Sequence, residues 1–310
     1  MDRGKLNSNL LLLITSTIWG FGFVAQEMGS DHLGPNAFNG TRYSVGAVCL
    51  LIILLLWHRG RAMDGFRSRD WVKASLSAGL FLFFGSLLQQ AGIGYEATGP
   101  GKAGFITGLY VVIVPLLGLT LGHRTNAQMW AGVALATVGL WLLSFNLGNE
   151  QWAIRRGDLL VFFGAFCWAA HVLVIDRFTN RVSSLHLALG QVTVCAGASW
   201  VASALAEPME WASFRAAFLP ALYLGSMSIA VAFTMQIIGQ RKAHPTHASI
   251  IFAMEAVVGV FAGWLILHEQ LTQRELAGCL LMFCGMVLSQ LPVRLIRLGL
   301  TRRANDKPPA

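Results

Sequence analysis

One stretch of this chain occurs twice. Residues 90–142 read QAGIGYEATGPGKAGFITGLYVVIVPLLGLTLGHRTNAQMWAGVALATVGLWL, and residues 236–288 align under them without a gap. The offset is 146, from Gly278 minus Gly132. It sets Gln90 on Gln236, Ala97 on Ala243 and Val111-Val112 on Val257-Val258. It also sets Ala131-Gly132 on Ala277-Gly278, Leu135 on Leu281 and Gly139 on Gly285. Apolar runs match by chance at scattered positions. These two also share the polar break between runs and the small-residue pair that opens the second run. Self-similarity on this scale marks a duplication, and the fold must be one that half the chain can build twice.

The unit that is doubled is apolar. The chain is 55% hydrophobic and 12% charged, with mean hydropathy +0.58, where a soluble domain carries roughly 25% charged residues. Apolar runs fall at 10–28, 36–57, 71–94, 101–121 and 127–146, then at 157–176, 184–206, 214–240, 246–267 and 272–293. Each is close to the roughly 20 residues that cross a bilayer as a helix. The expected architecture is an all-α integral membrane protein of ten transmembrane helices, five per repeat. The expected division is a first repeat at 1–146, a periplasmic link at 147–156, a second repeat at 157–293 and a basic cytoplasmic tail at 294–310. Arg3 and Lys5 before an apolar run imitate a signal peptide, but the run continues through WGFGFVA without a convincing cleavage site. It reads as a retained first helix.

Charge orients the helices. With the N-terminus inside, 17 Lys and Arg residues lie at inner ends, among them Arg59, Arg69, Lys73, Arg124, Arg241 and Lys242. Five lie at outer ends (Lys102, Arg155, Arg156, Arg215, Arg274), and Arg42 is inside a helix. This bias places both termini in the cytoplasm. It also accounts for the net charge of +8 without a nucleic-acid partner. Five helices per half is an odd number, so the second half enters the membrane from the opposite side. Inverted repeats of this kind belong to secondary transporters, with the solute near the midplane between halves and alternating access by rocking.

Trp19-Gly20 in the first helix, Trp168-Ala169 at the same place in the sixth, and the blocks around Ala131-Gly132 and His268-Glu269…Ala277-Gly278 carry a resemblance. The chain resembles the drug/metabolite transporter superfamily, EamA type, over nearly its whole length. The resemblance implies two five-helix repeats, and its amino-acid exporters imply a bacterial inner-membrane exporter of amino acids, aromatic ones included. Other metabolites, drug-like cations and, more remotely, an enzyme acting on lipid-linked substrates remain as alternatives. A cation exporter of the small multidrug type would need an acid in mid-helix 1, where Trp19-Gly20 stands. An enzyme would need acid/base or metal ligands converging near one membrane face. A small-molecule substrate, the bilayer and at most a weak homodimer are the expected partners.

Polar groups inside spans cost roughly 2.5–3.5 kcal/mol when charged, so each is a site candidate. Glu255 shares a helical face with Ser249, Phe252 and Gly259. It has no acidic repeat mate, and either lines a site or bonds a neighbouring helix. Gln90 and Gln236 are mates whose amides suit a zwitterion or serve as interhelical glue. Trp19 and Trp168 are mates at offset 149 (168 minus 19), too deep for the interfacial belt, and either wall a solute or pack a core. His171 lies one turn past Trp168, and Tyr110 and Thr107 share one face of the fourth helix. Arg42, mate of Gln191, is expected to snorkel outward or to pair with Glu27 or Asp31. Lys102 at an outer end either snorkels or gates. Pro115 is expected to kink the fourth helix. Metal and cofactor are not expected: the five cysteines lie in apolar runs, and His244-Pro-Thr-His247 reads as a loop. There is no Walker sequence and hence no direct use of ATP.

Overall fold

The structure, a computed structural model of the chain, describes residues 3–58, 64–94, 100–144, 155–208, 210–266 and 272–290. Most of the expected link 147–156, the whole tail 294–310 and His268-Glu269 therefore lie outside the described residues. Among the described residues the only regular structure is helical. The first half contains α1 (Arg3–Ser30), α2 (Pro35–His58), α3 (Arg69–Gly94), α4 (Pro100–Gly108), α5 (Tyr110–Thr120) and α6 (Ala127–Ser144). The second contains α7 (Arg156–Phe178), α8 (Ser184–Ala206), α9 (Trp211–Ala216), α10 (Phe218–Tyr223), a π-helical segment (Leu224–Ala232), α11 (Phe233–Gln240), α12 (Pro245–Phe252), α13 (Met254–Ile266) and α14 (Gln273–Gln290). Eight stretches are long and apolar enough to cross a membrane: α1, α2, α3, α4 with α5, α7, α8, α10 through α11, and α12 with α13. Their outward faces carry exposed Leu, Ile, Phe and Val, as at Leu56, Phe163 and Leu205, which suits lipid and not water. This is a multi-pass membrane protein.

Repeat mates pack on one another antiparallel. On α6 and α14, a methyl at Gly139 would lie 2.6 Å from the carbonyl oxygen of Gly278, and one at Gly278 would lie 2.6 Å from that of Gly139. A methyl at Gly132 would lie 2.9 Å from the carbonyl of Gly285, and one at Gly285 2.7 Å from that of Gly132. Each glycine thus meets the mate of the other, the pattern a two-fold axis between the helices produces. Lipid offers no hydrophobic drive for helix pairing, so this intimacy of backbones supplies the van der Waals contact that holds them. The α2 and α8 pair runs the same way. The Glu207 carboxylate accepts from the Asn36 and Ala37 backbone N–H groups at 2.9 and 2.7 Å, and Trp200 Nε1 donates to Ser44 at 2.9 Å.

Three spans depart from a regular α-helix, and all three departures border the centre. The fourth span is interrupted at Leu109, where the amide of Leu109 turns to Ile106 at 3.2 Å. Its repeat mate is interrupted at Ala253, whose carbonyl accepts from Ala256 at 3.1 Å. These tightened turns carry Tyr110 and Glu255 immediately beyond them. The kink expected at Pro115 is not where the helix breaks. Pro115 lies within α5, and the interruption follows Gly108, a residue with low helix propensity. The third departure is the π-helical segment, whose wider turns take up more residues per turn than an α-helix.

Candidate functional site

Those irregular spans surround a cavity of about 620 Å³, lined from α1, α2, α3, α4, α5, α7, the π segment, α11, α12 and α13. Its position follows from close packing of α1 on α13. A methyl at Gly20 would lie 2.7 Å from the carbonyl of Glu255 and 2.6 Å from Cβ of Val258, so the bare glycine lets the two backbones meet beside Trp19.

One wall is aromatic. Phe233 lies between the two tryptophans, 5.2 Å from the ring of Trp19 and 6.5 Å from that of Trp168, with which it is nearly parallel at 16°. Phe252 is 5.3 Å from Trp19, and His171 is 5.8 Å from Phe233. Trp19 and Trp168 are therefore joined through Phe233 and do not form a direct pair. Trp19 Nε1 donates to the Ser228 carbonyl at 3.3 Å, an oxygen presented by the π segment. The Trp168 Nε1–H has no protein acceptor.

The polar lining is divided by charge. Tyr110 donates its hydroxyl to Glu255 Oε1 at 3.1 Å. Arg42 Nε donates to Asn39 Oδ1 at 2.9 Å, and its guanidinium lies over the rings of Phe38 and Tyr43 at 5.6 and 5.3 Å. Arg42 is the one permanently cationic side chain in the lining and Glu255 the one carboxyl, among the described residues. Neither is in an ion pair among those residues. Between them, Gln89 Nε2 donates to Thr107 Oγ1 at 3.0 Å, and His171 Nε2 meets Gln191 Oε1 at 2.8 Å. Gln236 is fully buried, yet both its amide nitrogen and its oxygen lack a partner, as does Oε1 of Gln26. Buried amides are nearly always satisfied, so a cavity lined by several unmet ones is suited to a polar occupant.

Eight of the residues named from sequence come together here: Trp19, Arg42, Tyr110, Trp168, His171, Gln236, Phe252 and Glu255. Two stand apart. Gln90 turns away from the cavity and donates to the Gln26 carbonyl at 3.0 Å and to Ser30 Oγ at 2.6 Å. Lys102 is fixed by Asp158 Oδ2 at 2.5 Å and does not reach the lining. Arg42 corrects a further expectation. It neither snorkels nor pairs with Glu27 or Asp31, but is 4% exposed and points inward. His244 also departs from a loop reading: it caps α12, accepting from the Thr246 amide at 3.3 Å.

The displacement of Gln90 has a local cause. Before the π segment the repeats keep their offset. Gly79 abuts the carbonyl of Gln191 (2.8 Å to an added methyl), and Gly225 abuts that of Arg42 (2.7 Å). Beyond it, Gly92 meets the Gly157 carbonyl (2.7 Å) and Gly239 that of Ser8 (3.2 Å), an offset of 147 from 239 minus 92. The π turn absorbs one residue, so Gln236 is matched in space by Gln89. Sequence reading also missed Phe233, Gln26 and Tyr43. Phe233 could have been found from its place three residues before Gln236, on the same helical face.

A membrane-embedded helical bundle built around a solute-sized, half-aromatic cavity is the class that fold and site define. The EamA-like transporter family model matches residues 6–145 and again 155–291, and the chain belongs to that family. It is a transporter and not an enzyme. It is 26% identical over 288 residues to a protein of Bacillus subtilis named uncharacterized transporter YoaV, covering 90% of this chain and 94% of that one. It is 22% identical over 300 residues to a probable amino-acid metabolite efflux pump of Escherichia coli, covering 92% and 95%. A crystal structure superposes with TM-score 0.76 at 18% identity, over 93% of this chain and 98% of its own, a likeness of fold.

Proposed function

We propose that this protein is a secondary carrier that exports amino acids, aromatic and apolar ones first, across the bacterial inner membrane. The carrying observation is the cavity itself. A permanent cation (Arg42) and a carboxyl (Glu255) share one space with an aromatic wall of Trp19, Phe233, Trp168 and Phe252. A zwitterion with an apolar side chain has the matching parts: carboxylate for guanidinium, ammonium for carboxylate and cation–π faces, side chain for rings. The volume falls in the range of small-molecule sites, roughly 300–1,000 Å³. The relative named for amino-acid metabolite efflux supports the same reading. In this reading ten spans form two inverted halves, 1–146 and 157–293, with both termini cytoplasmic, and the protein works as a monomer or weak homodimer.

Binding to the purified protein tests it. Thermal stabilisation is expected from phenylalanine, tryptophan and leucine, and not from sugars, nucleosides or cationic dyes. Loss of one charge-assisted hydrogen bond is worth about 1.5–3 kcal/mol. Arg42→Gln should therefore weaken phenylalanine about 10- to 100-fold and leave phenethylamine, which lacks the carboxylate, close to its wild-type affinity. Stabilisation by dyes or sugars alone would remove the amino-acid assignment.

A further inference from the structure

Arg42 and Glu255 share a cavity but are not paired, and this asks which of them is charged when the cavity is empty. Arginine keeps its charge in proteins. Glu255 is 4% exposed, has one hydrogen bond, from the Tyr110 hydroxyl, and has no cationic partner among the described residues. A carboxylate so placed has lost its water without gaining a counter-charge, the situation in which the group takes up a proton instead of staying ionised. No other titratable group in contact with it changes this. Tyr110 is the one that touches it. Of the other groups on elements packed around α13, His171 is bonded to Gln191, and Lys102 is held by Asp158. On α14, Glu275 binds Thr272 and Arg274 the Trp141 carbonyl. Cys279 is half-buried in the core behind α13, and Glu27 is half-buried on α1.

We infer that the Glu255 carboxyl is protonated in the empty cavity and that the ammonium of an incoming amino acid displaces that proton, making the carrier an amino-acid/proton antiporter. This rests on the amino-acid reading above. The exchange balances. Glu255–COOH and a solute ammonium give a Glu255 carboxylate–ammonium pair, and one proton leaves to water. On the other side of the membrane the solute departs with its ammonium intact, and Glu255 takes one proton from water. Over a cycle one solute moves out for one proton moving in. Arg42 makes the exchange electrostatically consistent: it draws the solute carboxylate, so the loaded cavity holds two cation–anion pairs and no surplus charge beyond the empty state less its proton.

Calorimetric titration of phenylalanine into the purified protein, in Tris and in phosphate at one pH near neutrality, counts the protons released. About one proton per phenylalanine bound is expected. None is expected for 3-phenylpropionate, which has the carboxylate and ring but no ammonium. Glu255→Gln should bind phenylalanine several-fold more weakly and release none. If that variant fails to fold, the two-ligand comparison in wild type decides alone. Phenylalanine binding without proton release overturns the antiport and leaves the amino-acid assignment standing. Release that persists in folded Glu255→Gln moves the proton to His171 and also overturns it. Absence of binding by any amino acid defeats both.

Discussion

Two adjacent glutamines show how far one residue matters. Gln89 faces the cavity and donates to Thr107, while Gln90 faces α1 and is spent on the Gln26 carbonyl and Ser30. Their side chains are about 100° apart around the helix, enough to separate a site residue from a packing residue. Substitution should separate them as well. Gln90→Leu should lower thermal stability in detergent by about 0.6–1.7 kcal/mol, the range for interhelical side-chain bonds in membranes, and keep solute affinity. Gln89→Leu should keep stability and alter affinity. Thermal unfolding with and without phenylalanine on both variants checks this, and a reversal would place Gln90 in the cavity.

Among the elements, the α6–α14 pair has the closest mutual backbone approach. Gly139 and Gly278 leave no room for even a methyl group at 2.6 Å, so Gly139→Ala must push the helices apart. Overpacking of this kind costs about 1–3 kcal/mol. Gly197 on α8 has nothing within 4 Å of an added methyl, and Gly197→Ala should be neutral or stabilising by up to about 1 kcal/mol through helix propensity. Comparing unfolding temperatures of the two variants tests the packing account directly. Equal effects would show that α6 and α14 are not held by close backbone contact. The irregular elements have another role. The breaks at Leu109 and Ala253 bring Tyr110 and Glu255 together, and the π segment turns a backbone carbonyl, Ser228 O, toward Trp19.

The whole molecule is closed at one end and hollow toward the other. Gln26, Arg42 and Gln89 extend the cavity toward the end that carries Ser30, Pro35 and Gly94. At the opposite end, side chains tie α7 to α11 and the turn after it. Gln240 donates to the Val172 carbonyl at 3.0 Å, Thr179 to Ile237 at 2.6 Å, and Arg241 to Thr179 and Val182 at 3.0 and 3.3 Å. Ser8 bonds the Gly239 carbonyl beside them. In the orientation set by the 17-to-5 charge bias, the tied end is cytoplasmic and the hollow end periplasmic. Cysteines placed at exposed positions check the orientation. A membrane-impermeant maleimide applied to intact spheroplasts should label Glu210→Cys and spare Ser68→Cys, and the opposite pattern would invert the carrier.

Membrane class, helix number and duplication were legible in the chain because they are linear properties. Apolar length sets a span, and repeated spacing survives whatever the spans pack against. The deep tryptophans, Gln236 and Glu255 stood out for the same reason, since a costly residue in an apolar run needs no neighbour to be noticed. What only tertiary structure decided is direction. Arg42 points inward because Asn39, Phe38 and Tyr43 hold it there, and Phe233 became the centre of the aromatic wall because Trp19 and Trp168 converge on it from different halves. Gln89 replaced Gln90 because a π turn shifts the second half by one residue. A sequence alignment without gaps conceals such a shift, since it lies in how many residues fill a turn and not in how many the chain contains.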